Sequence, residues 1–179
     1  MFRYQSILKG NVAEAALQAG ADLVNDIWGF KFDKKTALMT AKYNAACCLM
    51  HNKDEAVYND FLEDMVSEMA ECVKIAREAG VADDKIMLDP GVGFGKTYEM
   101  NLAAINHVDV LHRLGFPILL GTSRKSVIGN TLNLPADQRV EGTLATTVIG
   151  VMKNCAFVRV HDIKENKRII QMTKAILAH

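Results

Sequence analysis

Short apolar runs alternate with longer amphipathic segments along the whole chain. The runs ADLVND (21–26), AACCLMH (45–51), KIMLD (85–89), PILLG (117–121) and AFVRV (156–160) are almost continuously apolar. Runs of this kind read as strands buried on both faces, which is what a helix-covered parallel sheet requires. Helical spacing fills the gaps between them. The first helix is expected to start at Asn11, a good N-cap, and to end at Gly20, a good C′ residue. The longest spans roughly 56–79, with Phe61, Leu62, Met65, Val66, Met69, Cys72, Val73 and Ala76 on one face and Gly80 as its stop. Further helices are expected over about 101–114, stopped by Gly115, and over about 137–152 and 164–177.

The unit is β-then-α throughout, and no linker or low-complexity stretch divides residues 1–179, so a single α/β domain is expected. Five βα units are legible, whereas a complete eight-unit barrel takes about 250 residues. Two architectures fit. One is a partial TIM (β/α)8 barrel of about five βα units with the N-terminal strands missing. The other is an open doubly wound parallel sheet.

Composition narrows the classes. The chain has 179 residues, half of them hydrophobic, with 21 basic and 21 acidic side chains and a formal net charge of zero. Zero net charge argues against broad attraction to nucleic acid or to an anionic membrane. The opening MFRYQSILKG has no apolar signal core, and no run is long enough to span a bilayer. Cys47, Cys48, Cys72 and Cys155 form no CxxC pair and stand at no zinc-finger spacing from a histidine. They read as reduced thiols of a cytoplasmic protein, not as disulfides or metal ligands.

The chemistry collects where the strands end. Each apolar run closes on polar residues: Asn25-Asp26, His51-Asn52, Asp89, Thr122-Ser123-Arg124-Lys125, and Arg159 with His161. Ligand sites of α/β folds lie at the C-terminal ends of the strands, so these ends point to one shared site. DPGVGFGKT (89–97) comes close to two phosphate motifs and matches neither. Pro90 stands where a P-loop needs its first glycine, and GxGxG is not the dinucleotide fingerprint GxGxxG. Asp89 ends a buried strand, where an ionised carboxylate is costly without a partner. A ligand's pair of planar donors would supply one.

GTSRKS (121–126) follows a strand and is expected to open onto a helix or turn, offering free N–H groups to an anion. A solvated basic loop is the plainer reading of the same residues. Arg159 and His161 sit two apart in an extended segment and so face the same way, which suits a phosphate or pyrophosphate. The competing reading is an ion pair with Asp162. Asn25 can read a heterocycle edge or form a turn. Trp28 reads as packing, and His51 as structural with no catalytic role.

In order and spacing, ADLVNDIWG, CLMHNK, KIMLDPGVGFGKTYEMNL, FPILLGTSRKSVIG, RVEGTLAT and VRVHD resemble the dihydropteroate synthases, a family of pterin-binding TIM barrels. The resemblance runs from about Val12 to the end. It implies a cytoplasmic transferase of folate biosynthesis, usually a homodimer or other homo-oligomer, that uses Mg2+ and is a sulfonamide target. The reaction implied condenses 6-hydroxymethyl-7,8-dihydropterin pyrophosphate with 4-aminobenzoate, releasing pyrophosphate.

The roles implied are also specific. Asn25, Met50, Asp89, Phe94, Gly121 and Lys125 would bind the pterin. Ser126 and Lys125 would hold the aminobenzoate. Arg159 and His161 would bind the pyrophosphate, and Lys125, Arg159 and His161 would be catalytic. No metal ligand is assigned, because the family's Asn-bearing N-terminal strand has no match here. Neither do its two mobile loops, nor the Asp-Thr strand end, whose place MFRYQSILKG takes. The chain is therefore expected to lack the barrel's N-terminal part. Two alternatives stand beside the synthase reading: a catalytically impaired pterin-binding remnant, and another pterin-binding barrel such as a methyltetrahydrofolate methyltransferase.

Overall fold

A computed structural model describes residues 4–6 and 10–179. The strands are β1 (Tyr4–Ser6), β2 (Leu23–Asp26), β3 (Ala46–Met50), β4 (Ile86–Asp89), β5 (Leu119–Leu120) and β6 (Phe157–Val158). The α-helices are α1 (Gly10–Gln18), α2 (Lys34–Lys42), α3 (Phe61–Glu78), α4 (Tyr98–Asn106), α5 (Ser126–Leu132), α6 (Val140–Met152) and α7 (Ile163–Leu177).

All pairings are parallel, and β1, β2, β3 and β4 lie side by side in sequence order. A bridge between Leu88 and Ile118 joins β4 to β5, and β5 pairs with β6. Strand order in space is therefore chain order. Because parallel crossovers are right-handed, adding every strand on the same side keeps all the helices on one face. That is the winding of a barrel; a doubly wound sheet reverses direction at a switch point. The partial barrel is thus the architecture. The described residues hold six strands, one more than the apolar runs indicate. The extra strand is Tyr4–Ser6, inside the MFRYQSILKG segment, the rest of which up to Lys9 lies outside the described residues.

Two-residue periodicity sorts the side chains of this sheet. Val24, Cys47, Leu49, Ile86, Leu88, Ile118 and Leu120 face the helices and belong to the main core with Met65, Met69, Cys72 and Leu111. The alternate positions face inward: Leu23 and Asn25, Cys48 and Met50, Met87 and Asp89, then Leu119 and Phe157. Phe157 is 48% exposed on this inner face.

Several boundaries differ from expectation for local reasons. Asn11 is not the N-cap of α1: the helix begins at Gly10, whose N–H is taken by the Asp33 carboxylate at 2.8 Å. Helix α2, absent from the sequence reading, is short and polar and is itself capped by Asp33. Helix α3 starts at Phe61, not near 56, because Asp60 accepts from the Leu62 and Glu63 N–H groups. The helix expected over 101–114 divides at His107 into α4 and a 3-10 stretch, Val108–Leu114, which Gly115 ends in the left-handed conformation. Cys47, Cys48 and Cys72 are buried free thiols, and burial pushes Cys47 up to about 12. No described helix is long and apolar enough to cross a membrane.

Candidate functional site

The inward alternation delivers polar groups to one end of the sheet. Asn25 ends β2 on the inner face, and Asp89 ends β4 on the same face beside Met50. Continuing the register of Leu119 and Phe157 by two residues sets Gly121 beside Arg159. Their packing agrees: a Cβ on Gly121 would lie 2.6 Å from the guanidinium. The missing side chain at residue 121 is what lets Arg159 lie across the strand ends.

Arg159 reaches over that glycine. It donates to Asn25 Oδ1 at 3.1 Å and to Asp89 Oδ2 at 3.0 Å. Asp89 is fully buried, and its other oxygen accepts the Gly91 N–H at 2.8 Å. The carboxylate that sequence reasoning leaves in need of a planar donor thus has one from within the chain. Asp26, facing the other way, takes the turn role by accepting the Trp28 N–H at 2.8 Å, and burial raises its carboxyl above the ordinary value. The turn role weighed for Asn25 thus falls to Asp26, while Asn25 accepts from Arg159.

Lys125 crosses toward the loop after β4. Its ammonium donates to the Val92 carbonyl and sits 4.9 Å from the centre of the Phe94 ring. Burial pulls it down to about 8, against the opposing pull of Asp89. Phe94 is half-buried and Met50 almost fully buried. Five inner-face groups, Asn25, Met50, Asp89, Gly121 and Arg159, together with Lys125 and Phe94, therefore share one end of the sheet.

Ser126 and His161 stand apart from that cluster. Ser126 is exposed at the first residue of α5. His161 is exposed and its Nδ1 lies 2.9 Å from the Ser123 hydroxyl, which also accepts the His161 N–H at 3.1 Å. The Ser123 hydroxyl therefore holds both the backbone and the ring of His161. Asp162 pairs with Arg124 at 2.6 Å and also feels the charge of His161. Arg124 adopts a φ of 59°, and its N–H is held by Thr143.

Sequence reasoning passes over three charged residues that the structure places around the site. Arg139 donates to the carbonyls of Leu134 and Arg124, each at 2.9 Å, and so ties the turn before α5 to the segment after it. Its guanidinium fills the space a Cβ at Gly129 would need. Lys96 and Glu68 clasp the two ring nitrogens of His51 at 2.8 and 3.0 Å. Glu68 did leave a signal. It falls three residues after Met65 and four before Cys72, a charge on the buried stripe of α3. A groove of about 520 Å³ between α4 and α6, lined by Leu102, Ile105 and Ile149 among others, has no carboxylate or lysine on its wall and lies outside the sheet.

Fold and site together define a class: a barrel-wound α/β protein whose buried polar side chains gather at the strand ends. The pterin binding enzyme family model matches residues 8–161, and the chain belongs to that family. It is 59% identical over 170 residues to the dihydropteroate synthase of Clostridium beijerinckii, covering 94% of this chain and 63% of that protein. It is 51% identical to that of Bacillus subtilis, covering 94% of this chain and 59% of the relative. A crystal structure of the Clostridium difficile dihydropteroate synthase with pteroic acid superposes with a TM-score of 0.92 at 46% identity, covering 96% of this chain and 66% of that one. The chain thus spans less than two thirds of the length of each of these three proteins.

Proposed function

We propose that this chain carries the pterin-handling and transfer centre of a dihydropteroate synthase. Such a centre joins 6-hydroxymethyl-7,8-dihydropterin pyrophosphate to 4-aminobenzoate. The observation that carries the reading is the buried Asp89 carboxylate receiving a planar cation, Arg159, with Asn25 beside it. A pterin's ring N–H and amino group form the same donor pair as a guanidinium edge. The relatives named above support the same substrate class.

In this reading the pterin displaces the guanidinium from Asp89 and Asn25. Met50, Phe94 and Gly121 flank the ring, and Lys125 donates to its carbonyl side. The displaced Arg159 turns to the pyrophosphate, and His161 adds its exposed ring. The amine of 4-aminobenzoate attacks the pterin's methylene carbon. The C–N bond forms as the C–O bond breaks, pyrophosphate leaves with the bonding pair, and the amine loses a proton. Arg159 and His161 stabilise the charge on the leaving group. Ser126, at the start of α5, takes the aminobenzoate carboxylate.

The resemblance also implies Mg2+. Among the described residues no three His, Cys, Asp or Glu side chains converge, so they do not fit a protein-built cage, and no step here runs through a metal. A cytoplasmic location is part of the proposal, supported by free thiols at Cys47, Cys48, Cys72 and Cys155. A homodimer or other homo-oligomer is also part of it, supported by the exposure of Phe157, Ile163 and Ile176.

A second reading keeps the pterin and gives up turnover. It is favoured by Arg159 lying on Asp89 and His161 on Ser123, so that each proposed anion ligand is already engaged by a protein partner. Pyrophosphate release from the dihydropterin pyrophosphate separates the two. Release that needs 4-aminobenzoate and is lost in Lys125→Ala supports the synthase. Pterin binding without release leaves the binding protein, and no pterin binding removes both.

A further inference from the structure

Lys96 ends the glycine-rich loop after β4 and turns back under it. Its ammonium donates to the Gly91 carbonyl at 3.1 Å, to the Phe94 carbonyl at 2.9 Å and to His51 Nδ1 at 2.8 Å. The His51 carbonyl lies 3.5 Å away as a fourth acceptor, so all three N–H groups of the ammonium find protein partners. Burial lowers Lys96 to about 7, and in its charged form it has no lone pair, so Nδ1 is then the acceptor. The His51 proton is then on Nε2, which donates to Glu68 Oε2 at 3.0 Å. The other Glu68 oxygen accepts from Lys53 at 2.7 Å. Burial and the facing Lys96 charge hold His51 down to about 3, so its ring is neutral.

The backbone around this relay leaves no slack. Gly91 and Gly95 have φ values of 68° and 53°. A Cβ at either would collide with the backbone of His51 or Lys53. The His51 N–H donates to the Asp89 carbonyl at 2.9 Å, and the Tyr58 hydroxyl to the Gly95 carbonyl at 2.7 Å. The loop after β4 therefore lies backbone-to-backbone on the segment after β3, and Lys96 is the cation pinned between them. The same loop presents the Val92 carbonyl to Lys125 and the Phe94 ring to its ammonium.

We propose that Lys96 is a positioning residue for the pterin site, acting through the Gly91–Phe94 loop and braced by the His51 ring and Glu68. The proposal rests on the pterin reading given above. Lys96 touches no substrate. It sets where Phe94 and Val92 stand, and through Val92 where the Lys125 ammonium stands. Glu68, on helix α3 and away from the ligand, fixes the His51 tautomer that accepts from Lys96. A buried polar chain satisfied at every member holds one geometry; with one member removed, it leaves acceptors bare.

The test compares the wild type with Lys96→Met and Glu68→Leu, using 6-hydroxymethylpterin as the probe. Lys96→Met is expected to raise the pterin dissociation constant about tenfold and to speed amide exchange at Gly93 and Phe94 by a similar factor. Glu68→Leu is expected to move both in the same direction and less far. A lower Tm with an unchanged pterin affinity in Lys96→Met would overturn the proposal, because a merely structural bond gives that pattern. If the variant does not fold, the ¹⁵N resonances of His51 in the wild type decide. They should report Nε2–H and shift when pterin binds; unshifted resonances in a pterin-bound sample would overturn the proposal. Failure of the wild type to bind pterin would sink the pterin reading itself. Amide exchange alone would then decide whether Lys96 shapes the loop.

Discussion

The ends of β3 and β4 and the ends of β5 and β6 are built to different standards. Around β3 and β4, strands of five and four residues end in buried side chains, and the loops beyond them are cross-braced by Lys96, His51 and Glu68. Around β5 and β6 the ladder shrinks to two residues per strand. There Phe157 is 48% exposed, and Ser126 and His161 stand in solvent. Arg159, just after β6, helps tie the halves together through its bonds to β2 and β4. The difference suits the two jobs proposed. A flat ring is read by fixed acceptors, whereas a leaving anion needs charges that can move to it.

The largest expected effect breaks the ordered half at its centre. Asp89→Asn replaces one acceptor of the pair with a donor that faces both Arg159 and the pterin. Pterin affinity should fall by about 2–3 kcal/mol in a calorimetric titration, the cost of a charged hydrogen bond lost in a buried site. Unchanged affinity would remove Asp89 from the pterin site.

Arg159→Ala sharpens the comparison because its two effects have opposite signs. The pyrophosphate-bearing substrate should bind about 1.5–3 kcal/mol more weakly for want of a charged contact. Plain 6-hydroxymethylpterin, freed from competition with the guanidinium, should bind more tightly. Parallel losses for both ligands would mean that Arg159 does not stand in the pterin's place.

The pH dependence follows from Lys125, which burial lowers to about 8 from an ordinary 10.5. Its charged form makes the donated hydrogen bonds, so pterin affinity should decline as pH rises through about 8. Stability has the opposite sign. Between about 8 and 10.5 the unfolded lysine holds a proton the folded one has released, so this group favours folding as pH rises. Affinity that rises from pH 7.5 to 9 would remove the ammonium from the site.

The smallest effect is a control on the fold. Asp60→Ala removes the acceptor of the Leu62 and Glu63 N–H groups at the start of α3. It should cost about 1 kcal/mol by urea titration and leave pterin affinity alone.

What the sequence could reveal follows the same divide. The runs at 45–51 and 85–89 are legible because both faces of β3 and β4 are buried, so apolar composition marks them without a period. The strand Tyr4–Ser6 is three residues long and gives no such run. Helix α2 (KKTALMTAK) escapes because its charged face breaks the apolar pattern, and its cap, Asp33, also closes α1 from 23 residues away. Inward-facing Asn25, Asp89 and Arg159 are legible as polar residues at the ends of apolar runs. The Arg159–Asp89 contact spans 70 residues of sequence and depends on a glycine at 121, so only the fold exposes it. Lys96 is hidden by resemblance: in DPGVGFGKT it invites a phosphate reading, while its acceptors are backbone carbonyls and a histidine nitrogen.

The central claim is that the pterin takes the place Arg159 holds on Asp89, and a crystal structure with 6-hydroxymethylpterin bound tests it most directly. The account predicts the ring's N–H and amino group on the Asp89 carboxylate, Asn25 on another edge, and the Arg159 guanidinium moved off both. A bound pterin that leaves Arg159 on Asp89, or that sits away from the ends of β2 and β4, would contradict it.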